Sequence, residues 1–93
     1  MTERNGRRVA IVGGCRTPFA KAGTAFRDLG AVDLAKAAGR ELLARTDVDP
    51  GIVDQVIFGQ VVPSVLAPNV AREVSLLPQF PRTIPAHSLN RAC

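Results

Sequence analysis

Apolar and polar positions alternate along this chain with two different periods. Residues 9–12 (V-A-I-V) form an unbroken apolar run closed by Gly13 and Gly14. Short apolar runs that end in glycine predict buried strands, often parallel ones. An R-T-P-F loop follows at 16–19, where Pro18 removes a backbone donor and biases Thr17 away from helical geometry. Residues 23–30 read as an irregular connection. From 31 to 45 the period changes: Ala31, Leu34, Ala35, Ala38 and Leu42 recur at helical spacing, with Asp33, Lys36 and Arg40 opposite. Gly39 lies inside this helix, where glycine costs about 1 kcal/mol relative to alanine, so a close neighbour is expected over it.

The D-V-D-P sequence at 47–50 stops the helix, and Asp49 before Pro50 predicts a short helical turn. A second apolar run at 55–58, ended by Gly59, predicts strand two. After a loop at 61–68, residues 69–77 read as a second helix with Val70, Val74 and Leu77 on one face, ended by Pro78 and Pro81. Residues 84–89 read as strand three, with Pro85 tolerated near its start. The expected order is strand–helix–strand–helix–strand, an α/β arrangement with a largely parallel sheet.

Composition narrows the function classes. The chain has 93 residues, 46% of them hydrophobic, enough for one small domain with a modest core and too apolar for a disordered chain. Formal net charge is +4, but Arg4, Arg7 and Arg8 crowd the N-terminus and the other basic residues are interleaved with acids. Without a clustered basic footprint, and with no Tyr or Trp to stack on a base, nucleic acid is not an expected partner. Residues 1–8 are expected to be a disordered basic leader, and 9–93 the folded part. No run approaches a membrane span and the N-terminus lacks secretory and transit patterns, so the expected location is the cytoplasm. Two cysteines, Cys15 and Cys93, are too few for a disulfide scaffold, and with a single histidine, His87, they make too few zinc ligands. Gly13-Gly14 is followed by C-R-T-P, so the glycine spacing of a dinucleotide-binding turn fails.

In a parallel sheet, reactive groups gather beyond the carboxyl ends of the strands. Cys93 follows strand three there, where a next helix would begin. A helix N-terminus carries partial positive charge that favours a thiolate, the form that attacks carbonyls. Spacing alone also fits a small buried hydrophobe, as it does for Cys15 after Gly14.

Three blocks, in order, resemble the thiolase family: V-A-I-V-G-G-C-R-T-P-F at 9–19; I-F-G-Q-V-V at 57–62 followed by A-P-N-V-A-R at 67–72; and P-A-H-S-L-N-R-A-C at 85–93. The helical D-L-A-K at 33–36 lies between them. The second block is most similar to the fatty-acid-oxidation branch, which includes thiolase subunits of trifunctional complexes; biosynthetic acetoacetyl-CoA thiolases are the near alternative. The resemblance implies that 9–93 is the first βαβαβ portion of a layered αβαβα fold, incomplete and cut at the family's nucleophilic cysteine, Cys93.

It further implies acyl transfer by thiolysis of a 3-ketoacyl-CoA to acetyl-CoA and a shortened acyl-CoA in β-oxidation. CoA would be a substrate, with no cofactor and no metal. Full-length relatives imply a homodimer or higher oligomer, and a hydratase/dehydrogenase subunit as partner of the trifunctional type. The family's oxyanion hole, catalytic histidine and acid–base cysteine all follow the nucleophile, and His87 does not match that histidine. The isolated chain is therefore expected to be inactive; the rival reading is a non-catalytic α/β fragment. His87 reads as a hydrogen-bonded interface or core residue, and Arg16 and Arg72 as salt-bridge or dimer-contact residues.

Overall fold

The structure, a computed structural model, describes residues 6–91. Helix α1 spans Ala31–Thr46, a short 3-10 turn Pro50–Ile52, strand β1 Val56–Gln60, helix α2 Val70–Ser75 and strand β2 Ala86–Asn90. The two strands pair in parallel, from Val56 opposite Ala86 to Gln60 opposite Asn90. A parallel pair needs a crossover, and here α2 is carried by that crossover.

Each boundary has a local cause. At the start of α1 the Gly30 N–H donates to Asp33 Oδ2 at 2.8 Å, which occupies one of the donors a helix N-terminus leaves open. At its end Asp47 turns left-handed (φ 53°) and donates its N–H to Leu43 O at 3.1 Å. Aspartate is among the few non-glycine residues that tolerate that conformation. The expected turn after Asp49 forms, with the Asp49 carboxylate accepting from Gly51 N–H at 2.9 Å.

The core is small. Val70, Val74 and Leu77, the expected inward face of the second helix, are its centre, with Val32, Ala35, Phe58 and Phe80 packed around them. Helix α2 meets α1 on one side and both strands on the other. Of the face expected for α1, Leu34, Ala35 and Ala38 are half-buried, whereas Ala31 and Leu42 are exposed. Val32, Gly39 and Leu43 turn inward in their place, so the face is rotated from the one the spacing suggested.

The strand expected at 9–12 is a correction: these residues form no strand, and Val9, Ile11 and Val12 are exposed. An apolar run becomes a strand only with a partner for its backbone groups and apolar cover for its side chains. The chain touches α1 only just after this run: a Cβ on Gly13 would lie 2.7 Å from Thr46 Cγ2, and Cys15 reaches Ala38. The other two strands shift by one or two residues. Ile84 does not begin β2: its N–H is turned to Pro81 O, away from the ladder, and its carbonyl accepts from Arg72.

Candidate functional site at the carboxyl ends of the strands

Both strands run the same way, so Gln60 and Asn90 end side by side at one edge of the sheet. Cys93 follows Asn90 by three positions in the sequence and lies outside the described residues. The structure describes the strand that precedes it and the residues packed on that strand.

The inward side chains of β2 are Ala86 and Ser88, facing α2 beside Val56 and Phe58 of β1. Ser88 Oγ donates to Asn69 Oδ1 at 2.8 Å and accepts from Ala71 N–H at 3.1 Å. Asn69 Oδ1 also accepts from Arg72 N–H at 3.2 Å, and its amide donates to Ala86 O at 3.3 Å. Asn69 is thus the N-cap of α2 and a tie to β2 at once. A six-residue helix has almost no internal ladder, so these side-chain bonds supply much of its anchoring.

Arg72 fixes the other end of the approach to β2. Its guanidinium donates to Arg82 O at 3.4 Å, Ile84 O at 3.2 Å and Ser75 Oγ at 3.3 Å. The salt bridge expected for Arg72 is not found among the described residues; its acceptors are carbonyls and a hydroxyl. Arg16 stacks on Phe19, 4.5 Å from the ring centroid, and donates to Thr17 O.

His87 points to the outer face of the sheet with Ile57, and is exposed. It meets no partner element among the described residues, and the structure does not bring it to a core position. Cys15 is half-buried and its thiol donates to Ala38 O at 3.3 Å, the geometry of a packed cysteine. It borders an open apolar cavity of about 500 Å³ between α1 and β1, lined by Val12, Leu43, Val56 and Phe80 among others. Among the described residues there is no group of His, Cys, Asp and Glu able to hold a metal ion, and no helix is long and apolar enough to cross a membrane.

Sequence reasoning missed Asn69 and Ser88. The signal was present: asparagine immediately before an apolar helical pattern is an N-cap residue, and Ser88 alternates with His87 and Leu89 on a strand.

The family profile for "Thiolase, N-terminal domain" matches residues 9–93. The 3-ketoacyl-CoA thiolase of Aeromonas salmonicida is 53% identical across all 93 residues, and that of Serratia proteamaculans 50%. In each case the whole chain is covered but only 21% of the relative, so the chain spans about a fifth of the length of the curated relatives it matches. Among solved structures, the Bacillus anthracis acetyl-CoA acetyltransferase superposes with a TM-score of 0.80 at 31% identity, covering 87% of this chain and 21% of that one. A partial α/β thiolase fold and a profile match over nearly the whole sequence agree: the chain belongs to the thiolase family, through its N-terminal domain.

Proposed function

We propose that residues 9–93 are the opening part of the catalytic domain of a 3-ketoacyl-CoA thiolase, with Cys93 as its acyl-accepting nucleophile. The observation that carries this reading is the parallel pairing of β1 and β2, whose shared carboxyl edge lies three residues before Cys93. Groups at that edge of a parallel sheet are where such folds do chemistry.

The reaction balances as two acyl transfers. The Cys93 thiolate attacks the C3 carbonyl of a 3-ketoacyl-CoA and forms a sulfur–carbon bond. The tetrahedral oxyanion collapses, the C2–C3 bond breaks, and its electron pair leaves on C2, delocalised into the thioester of departing acetyl-CoA. C2 takes a proton. The thiolate of a second CoA then attacks the cysteinyl thioester, carries off the shortened acyl group and returns Cys93 as thiolate. Sulfur serves both halves because it is a good nucleophile and a good leaving group. The 3-keto group supplies the electron sink, so CoA is a substrate and the proposal includes no cofactor or metal.

In this proposal the proton for C2 and the donors that hold the oxyanion come from polypeptide beyond Cys93. Such groups supply most of the rate enhancement, so residues 1–93 alone are expected to turn over no substrate. The complete enzyme is proposed to act in β-oxidation in the cytoplasm, as a homodimer or larger assembly, with a hydratase/dehydrogenase subunit as the partner to test. The higher identity to proteins named 3-ketoacyl-CoA thiolase than to the acetyl-CoA acetyltransferase structure favours the degradative direction.

The test is CoA-dependent cleavage of 3-ketoacyl-CoA esters of several chain lengths by the complete enzyme, with acetyl-CoA measured by chromatography. Acetyl-CoA release that disappears in Cys93→Ala supports the reading. Release that persists in Cys93→Ala rejects it.

A further inference from the structure

We propose that Asn69 and Ser88 form a register latch for β2, and that both are positioning residues for the acyl transfer at Cys93. The inference rests on the nucleophile reading given above and goes beyond it to the residues that set where the nucleophile is delivered.

The backbone alone does not set the register of β2. The backbone ladder of a parallel pair repeats along the strand, so it accepts more than one alignment; side chains normally choose. The inward side chains of β2 are only Ala86 and Ser88. Neither is bulky enough to lock into a hole on α2. The outward positions, His87 and Leu89, are exposed among the described residues.

Arg72 and the buried Ile84 hold the approach to β2, and within the strand itself Asn69 makes the choice. Its amide donates to the carbonyl of Ala86, while its Oδ1 accepts from the hydroxyl of Ser88. Positions 86 and 88 are two apart, the spacing of one strand face. Ser88 Oγ also accepts from Ala71 N–H, so the hydroxyl is bonded as donor and acceptor. From 84 to 91 the sequence is I-P-A-H-S-L-N-R, and Ser88 carries its single hydroxyl. A slip of one residue would bring His87 or Leu89 to Asn69, and a slip of two would bring Ala86 or Asn90. Ala86 and Leu89 carry no hydrogen-bonding side chain, and His87 or Asn90 would have to fit a larger group where a hydroxyl now bonds both Asn69 Oδ1 and Ala71 N–H.

A one-residue slip moves everything downstream by about 3.3 Å along the strand and turns each side chain to the other face. Cys93 follows Ser88 by five positions in the sequence. Misplacing a reacting group by about 1 Å can cost roughly a hundredfold in rate, so a loosened register reads out as slower acylation.

The experiment compares Ser88→Ala, Ser88→Thr, Asn69→Ala and Asn69→Asp in the complete enzyme. It measures kcat, KM and melting temperature, and the rate of Cys93 acylation by quenched-flow mass spectrometry with a 3-ketoacyl-CoA. Asn69→Asp keeps the helix cap and the acceptor for Ser88, and replaces the donor to Ala86 O by a carboxylate oxygen that repels that carbonyl. We expect Ser88→Ala and Asn69→Ala to lower kcat by roughly ten- to a hundredfold with KM changed less than about threefold. Ser88→Thr, which retains the hydroxyl, should recover most of the rate, and Asn69→Asp should fall between. Acylation at the wild-type rate in Ser88→Ala and Asn69→Ala overturns the latch, as does a lowered melting temperature with kcat unchanged. Should the alanine variants not fold, an unchanged kcat in Asn69→Asp overturns it. Turnover retained by Cys93→Ala overturns the nucleophile reading and the latch with it, and is distinguished because it appears with Asn69 and Ser88 intact.

Discussion

A Cβ on Gly39 of α1 would lie 3.1 Å from Val74 Cγ1 of α2, so the two helices meet where α1 has no side chain. This is the close neighbour that an interior helical glycine called for. The glycine's unfavourable helix propensity is offset by the close approach it permits to a fully buried valine. Val74 is β-branched and stiff, so it does not readily give way. Gly39→Ala in the wild-type background is expected to leave stability nearly unchanged, propensity gain and overlap cancelling. In a Val74→Ala background the same change is expected to stabilise by about 1 kcal/mol. A double-mutant cycle by urea denaturation reads the difference directly; equal effects in the two backgrounds would mean the helices do not meet through this pair.

Arg72 donates to two backbone carbonyls on the approach to β2 and to the Ser75 hydroxyl of its own helix. Removing it leaves those acceptors without a charged donor, and Arg72→Ala is expected to destabilise by about 1–3 kcal/mol. Arg72→Lys should restore little, because a single ammonium does not reproduce the planar fork. Denaturant midpoints for the two variants decide this; a lysine variant as stable as wild type contradicts it.

Sequence and structure agree most closely where one segment carries its own determinants. The 31–45 period, the Asp49-Pro50 turn and the Val70, Val74, Leu77 face each depend on neighbours close in sequence, and all three are present. Agreement fails where the outcome depends on a distant partner. The 9–12 run has strand composition, yet without a paired strand and cover it forms none. The rotated face of α1 has the same origin: Gly39 is an inward position because of Val74, which spacing within α1 cannot reveal. At the candidate site, Cys93 was legible as a motif but lies outside the described residues, whereas the Asn69–Ser88 bond joins residues 19 apart and was hidden by that separation.

Ile11 and Val65 are each 95% exposed and Leu66 92%, beside a core of few buried side chains. Exposed apolar surface of this kind favours association. Residues 1–93 expressed alone are expected to bind an apolar fluorescent dye and to self-associate, and Val65→Asp with Leu66→Asp to reduce both. Sedimentation of a monomer without dye binding would contradict this.

The thiol of Cys15 donates to Ala38 O and packs beside α1. Cys15→Ala is expected to cost no more than about 1 kcal/mol of stability, the worth of one modest hydrogen bond and a small side chain, and to leave thiolysis by the complete enzyme within twofold. A large loss of kcat with stability intact would give Cys15 a role in catalysis.

The covalent step separates this reading from every non-catalytic one. The complete enzyme is incubated with a 3-ketoacyl-CoA in the absence of free CoA, quenched in acid, digested and weighed peptide by peptide. The predicted result is a thioester of the shortened acyl group on the peptide containing Cys93, released by added CoA as acyl-CoA. An unmodified Cys93 peptide although acetyl-CoA has been released, or the acyl group on Cys15 instead, would contradict it.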